Sequence, residues 1–195
     1  MIPLRRALPL AALAAFATAA QAQVSFYSGT GHYYQAVNVP AGITWTAANN
    51  AAIAQGGYLA SILSAGENSF VYGLFDPNTF YSDPSLNGNR LGPWFGGQNI
   101  GGAGFQWTSG ETFSYTNWQP GQPDGFGGGN QYTQFYAGGG LGSTWGDDTN
   151  DSATSGLANP RGYIVEFNTN PAPEPATLAA LGLGALGLLR RRRRA

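Results

Sequence analysis

The stretch TWTAANNAAIAQGGYLASILSAGENSFVYGL, residues 44–74, decides the fold class of this chain. Thr44 is a helix N-cap residue type, whose side-chain oxygen can accept from a free backbone N–H. The helix it opens runs through Trp45, Ala48, Ala52 and Ile53, and Gly56-Gly57 ends it. Tyr58-Leu59-Ala60-Ser61-Ile62 is too short for a helix and reads as an apolar bridge. Ser64-x-x-Glu67 is a capping box and opens a second helix, with Phe70, Val71 and Leu74 facing inward.

Outward from these two helices the pattern changes. Before them, Gly31-His32-Tyr33-Tyr34-Gln35-Ala36-Val37 reads as a strand, from its aromatic and β-branched content. After them comes a loop with Asp76-Pro77 and Asp83-Pro84. Short strand candidates follow at Pro93–Gly97, Gly104–Trp107 and Phe113–Tyr115, with the last strand at Gly162–Phe167, and Tyr132–Tyr136 breaks the glycine-rich region between them. The Gly-rich region from Asn117 to about Gly142 reads as long ordered loops. One strand, two helices, then only strands and loops is an α+β order.

The two ends do not belong to this domain. Arg5-Arg6, the apolar run Ala7–Ala19 and Ala20-Gln21-Ala22 form a signal peptide pattern over residues 1–22. At the other end, residues 171–195 hold Pro173-Glu174-Pro175, an apolar run from Ala176 to Leu189 and arginines at 190–194. As a helix that apolar run reaches only about 21 Å, against a hydrocarbon core of roughly 30 Å. It therefore suits transient membrane association through 176–194. The Gly182-x-Gly184-x-x-Gly187 inside it is no dinucleotide loop, because no strand–helix unit surrounds it. Residues 23–170 remain as the folded domain.

The charge of that middle part excludes several partners. Between Gln23 and Pro175, a span that adds Glu174 of the tail to the domain, Arg90 and Arg161 stand against ten acidic residues, 2 − 10 = −8. Such a surface repels nucleic acid and anionic lipid. The chain has no cysteine, so neither disulfides nor thiolate metal sites are available. His32, the single histidine, lies in a tyrosine-rich strand and reads as structural. A multi-histidine metal site is excluded, and no nucleophile or base is placed for catalysis, so the domain reads as a non-enzyme.

The linear order of motifs resembles the C-type lectin-like domain. The resemblance is carried by Trp45 with Ala47-Ala48, Gly57–Ile62, Ser64–Phe70 and Trp94-Phe95-Gly96-Gly97. It continues through Phe105-Gln106-Trp107, Gly110, Tyr115–Trp118, Gln122-Pro123-Asp124, Trp145-Gly146-Asp147 and Gly162–Phe167. It implies a fold of two helices, short antiparallel strands and a long loop region. It also implies that Trp94, Trp107 and Trp145 are core residues, with Trp118 structural too. The tail similarly resembles the PEP-CTERM sorting signal, which implies export and processing by an exosortase-type membrane enzyme near the proline-rich motif.

The resemblance carries a site as well. It implies a calcium ion, Ca2+, on oxygen ligands at Gln122, Asp124, Asn130 and Asp147, with Asp148 or Asp151 able to join. Asn130 stands where the family has glutamate, and Gly146 stands where it has asparagine, so any binding is expected to be weak. The other reading of Asp147, Asp148 and Asp151 is a solvated acidic loop. Gln122, Asp124 and Asn130 would also meet a sugar, with Phe126 stacking on it. The implied function is binding of carbohydrate, an exopolysaccharide of the extracellular matrix included. A protein-binding or structural module of the cell surface is the alternative.

Overall fold

The computed structural model describes residues 23–85 and 87–171. The signal-peptide pattern at 1–22, and the tail beyond Pro171, lie outside the described residues. In chain order the elements begin with β1 Val24–Tyr27, β2 His32–Asn38, α1 Trp45–Ala54 and β3 Tyr58–Leu59. Next come α2 Ala65–Tyr72, α3 Pro77–Phe80, β4 Leu91–Asn99 and β5 Gln106–Trp107. The chain continues with β6 Gln131–Tyr136, β7 Trp145–Asp148, a 3-10 turn at Ser152–Ser155, and β8 Gly162–Phe167.

Both expected helix starts are present. The Thr44 hydroxyl accepts from Ala47 N–H, and the Ser64 hydroxyl accepts from Glu67 N–H at 3.1 Å. The capping box is displaced in its second half. The Glu67 carboxylate accepts from Leu63 N–H at 2.8 Å. It also takes the Tyr34 hydroxyl at 2.5 Å, so it faces the core rather than solvent.

The strands form one mixed sheet in the order β1-β2-β8-β4-β6-β7, with β3 on β8 and β5 on β4. Its pairings are antiparallel except where β4 meets β8, with Trp94 opposite Tyr163 in parallel. Successive strand residues point to opposite faces, and both faces are covered. Trp94, Tyr132, Tyr163, Val165 and Phe167 pack on one side with Trp45, Ala48 and Ala52 of α1. Phe95, Phe135, Trp145 and Ile164 pack on the other with Val71 of α2 and Phe75. This two-sided burial explains why the central strands are apolar without a clean polar alternation.

Four expectations need correction. A third short helix, α3, joins the two read from sequence; the Asp76 carboxylate accepts from Asn78 N–H, and Pro77 fills a first-turn position where no N–H is needed. Phe113–Tyr115 is not a strand; Phe113 packs on Trp107 at 4.6 Å and Tyr115 on Trp145 at 5.5 Å, so side-chain stacking places this segment. Ile53 is 59% exposed, because Trp45, Ala48 and Ala52 define the inner face of α1. Leu74 lies past the end of α2 and is only partly buried; Phe75 fills the core instead. Trp94, Trp107 and Trp145 are buried as expected, while Trp118 packs edge-on against Trp145. His32, at the start of β2, sits with its Nδ1 2.5 Å from Glu166 Oε1 of β8, a structural pair between neighbouring strands.

Candidate functional site

The two motifs read from the second half of the chain meet in space. Gln122-Pro123-Asp124 lies in a loop, with the Gln122–Pro123 peptide in cis. Trp145-Gly146-Asp147 forms most of β7. Asp147 Oδ1 accepts from Asp124 N–H at 2.9 Å, and its Oδ2 accepts from Gly125 N–H at 3.0 Å. In return, Gln122 Oε1 accepts from Asp147 N–H at 3.2 Å. The loop is thus clasped to β7 by the side chains of the motifs themselves.

Further contacts shape the same loop. Asp124 Oδ1 accepts from Phe126 N–H, and the Gln131 amide donates to the carbonyls of Phe126 and Gly128. Gly127 has φ +79°, and a Cβ there would lie 2.6 Å from both Ser155 Oγ and Thr149 Cγ2. Only glycine combines that backbone conformation with so close an approach.

Between this loop, the residues Ser85, Asn87, Asn89 and Leu91, and the turn 155–157 lies a cavity of about 240 Å³. Gln122, Asp124, Phe126, Asp147 and Asp148 all line it. Asn130 does not: it is exposed, and its side-chain oxygen accepts from Gly101 N–H at 3.0 Å. Asp151 also points elsewhere, capping the 3-10 turn through Ala153 N–H and accepting from the Asn159 amide. Asp147 and Asp148 are not a solvated acidic loop, being 5% and 1% exposed on a strand.

Burial raises the pKa of both aspartates. For Asp147 the N–H donors of Asp124 and Gly125 oppose this in part. For Asp148 the opposing groups are Thr149 N–H and the nearby Ser152 and Thr149 hydroxyls. Even so, Asp148 Oδ2 and Ser152 Oγ make no hydrogen bond of normal geometry among the described residues, and neither does Gln134 Oε1. Buried polar atoms without partners are uncommon in native structures.

Sequence reasoning missed Gln134 and Tyr136, which line the cavity from β6. The available signal was a glutamine inside the otherwise aromatic run Tyr132–Tyr136. Tyr136 also explains Gly146. A Cβ at residue 146 would lie 2.9 Å from both Cβ and Cδ1 of Tyr136. The space of the side chain missing at 146 is filled by an aromatic ring.

These residues do not fit a calcium shell. Calcium takes 6–8 oxygen ligands. Here both Asp147 oxygens are engaged by backbone N–H groups, Asn130 is turned to Gly101, and residue 146 offers no side chain. Among the described residues, no three acidic or histidine side chains converge as a metal site would require. The arrangement instead offers hydrogen-bond acceptors and two aromatic rings to an organic ligand.

Comparison with solved structures decides the architecture. The cow C-type carbohydrate-recognition domain of CD23, solved in the presence of GlcNAc2Man3 oligosaccharide, superposes with TM-score 0.52 at 20% identity. That match covers 71% of this chain and 89% of the other. The fold is C-type lectin-like. A calcium-independent type II antifreeze protein shares this C-type lectin-like architecture, with TM-score 0.53 at 18% identity over 74% of this chain and 90% of that one. Among curated relatives, the galactose-specific lectin nattectin of Thalassophryne nattereri is 35% identical over 81 residues, 41% of this chain and 46% of nattectin. The versican core protein of Bos taurus is 37% identical over 87 residues, 43% of this chain but 2% of versican. The chain thus matches less than half the length of either relative. Residues 171–194 match the PEP-CTERM protein-sorting motif.

Proposed function

We propose that this protein is an exported carbohydrate-binding module that holds its sugar by direct hydrogen bonds and aromatic contact, without calcium. The observation that carries the reading is the cavity bounded by Gln122, Asp124, Phe126, Asp147 and Asp148. The polar side chains that line it, Gln122 and Asp124 among them, suit the hydroxyls of a sugar. The Phe126 ring, 47% exposed at the rim, suits its apolar face. The lectin relative and the neighbour solved with oligosaccharide support a sugar as the ligand class, and the antifreeze neighbour supports a fold that stands without calcium.

An array of glycans probed with the purified full-length chain, with and without EDTA, tests this. Binding is expected in both conditions and is expected to fall on Phe126→Ala. Binding that vanishes in EDTA would restore the calcium site, and no binding to any glycan would leave the protein-contact reading. The ends set where the module acts. The mature chain is expected to lack residues 1–22 and the arginine block at 190–194, with an exosortase-type enzyme processing the PEP-CTERM motif. Intact-mass measurement on exported material checks this, and a chain still ending at Ala195 would count against it.

A further inference from the structure

We infer that Asn87, on the wall of the cavity, is a site of spontaneous deamidation, so that each copy of the domain gains a carboxylate there as it ages. The modification stands on its own chemistry; its effect on binding rests on the sugar-binding reading.

Asn87-Gly88 is the one Asn-Gly pair in the chain. Glycine has no side chain to shield its backbone nitrogen and has the widest choice of conformations, so that nitrogen can reach the preceding side chain. The Gly88 amide nitrogen, after giving its proton to base in the solvent, attacks Asn87 Cγ. A C–N bond forms, the side-chain nitrogen leaves as ammonia, and a five-membered succinimide results. Water then adds at either ring carbonyl. Opening one C–N bond gives aspartate at position 87. Opening the other gives isoaspartate, with the backbone routed through the former side chain. Water enters, ammonia leaves, and nothing is oxidised or reduced.

The fold leaves this pair free to react. Asn87 is exposed, and no hydrogen bond holds its side chain among the described residues. Gly88, at φ +80°, makes one backbone bond through its N–H, to the Ser85 carbonyl at 2.8 Å. The chain offers its own contrast. Asp124-Gly125 is the one Asp-Gly pair, which forms the same ring with loss of water, and it is exposed too. There the attacking nitrogen is tied: Gly125 N–H donates to the buried Asp147 carboxylate at 3.0 Å. A hydrogen bond to a charged group is the stronger kind, and it retains the proton whose loss starts the reaction. Asn87 and Asp124 line the same cavity. Conversion at 87 replaces an amide, with two N–H donors, by a carboxylate that only accepts. It also adds to the charge of Asp124, Asp147 and Asp148.

Incubation of the purified full-length chain in warm, mildly alkaline buffer, followed by peptide mapping for isoaspartate, tests this. Each rate is read against the same site in chain unfolded by urea. Asn87 is expected to convert at close to its unfolded rate, and Asp124 at least about tenfold below its own, the factor of one hydrogen bond to a charged group. Asp147→Ala should bring Asp124 up towards its unfolded rate and leave Asn87 unchanged. Asn87→Gln, whose longer side chain cannot close a five-membered ring, should remove the modified peptide. Asn87 held back in the folded chain as far as Asp124 would overturn the assignment, because the turn bond would then protect it. For binding, the glycan array is probed with fresh chain, aged chain and Asn87→Asp. Signal is expected to fall on ageing and in the variant, most for acidic glycans. Equal signal from all three would overturn the effect on binding and leave the modification standing. No signal even from fresh chain would overturn the sugar-binding reading and again leave the modification standing.

Discussion

At the residue scale, single side chains hold positions that composition alone does not explain. Trp94 is fully buried between β8 and α1, and its indole N–H donates to the Ile43 carbonyl at 2.7 Å. Trp94→Ala should cost about 3–5 kcal/mol, by analogy with other deletions of large buried aromatics. A denaturant melt measures this, and a loss under about 1 kcal/mol would mean that the site collapses without a cavity. Gly146 is the opposite case, a residue whose small size is the point. Gly146→Asn supplies the side chain that the resemblance lacks, yet its Cβ would meet the Tyr136 ring at 2.9 Å. Overpacking of this kind costs about 1–3 kcal/mol. The substitution is expected to lower stability without creating calcium binding, read by melting and calorimetry on the same variant.

At the element scale, the loop after Gln122 is held by hydrogen bonds rather than by regular structure. Asp147 is its main strut, since both carboxylate oxygens accept loop N–H groups. Asp147→Ala removes those acceptors and exposes the amides of Asp124 and Gly125 to solvent. Hydrogen exchange at these two amides is expected to accelerate by about tenfold or more, in line with about 1.5–3 kcal/mol for a hydrogen bond to a charged group. Protection of the β8 amides should change far less, because β8 lies at the sheet centre between β2 and β4. Equal acceleration in both elements would mean that Asp147 supports the whole domain.

At the scale of the whole molecule, four carboxyls are buried among the described residues: Glu67, Glu166, Asp147 and Asp148. Burial is the largest influence on each and raises all four pKa values. Around Glu67 and Glu166, the Tyr34 hydroxyl, His32 and the N–H groups of Leu63 and Ser61 oppose the shift without cancelling it. The folded state therefore holds protons that the unfolded chain has released above its ordinary carboxyl pKa of about 4. Stability falls as pH rises wherever the folded state binds more protons. Melting is thus expected at a higher temperature near pH 5 than near pH 8, the loss accruing from about pH 4 up through the raised values. Glu67→Gln should flatten the slope. A melting temperature that climbs steadily over the same range would contradict these directions.

The amino-acid sequence by itself determined what depends on neighbours along the chain. The caps at Thr44 and Ser64, the helix-then-strand order, the apolar central strands and the proline–apolar–arginine tail are local patterns. Local backbone chemistry is enough to read them. The meeting of Gln122-Pro123-Asp124 with Trp145-Gly146-Asp147 was legible only through a family resemblance. The tertiary structure decided how those residues are used. Asp147 is spent on the loop backbone, Asn130 faces Gly101, Tyr136 fills the space at Gly146, and Gln134 is left with an unpartnered oxygen. Each of these depends on strand register and loop closure, which set residues far apart in the chain side by side. A site made of long-range contacts takes its chemistry from which groups remain unpaired after folding, and no local pattern specifies that.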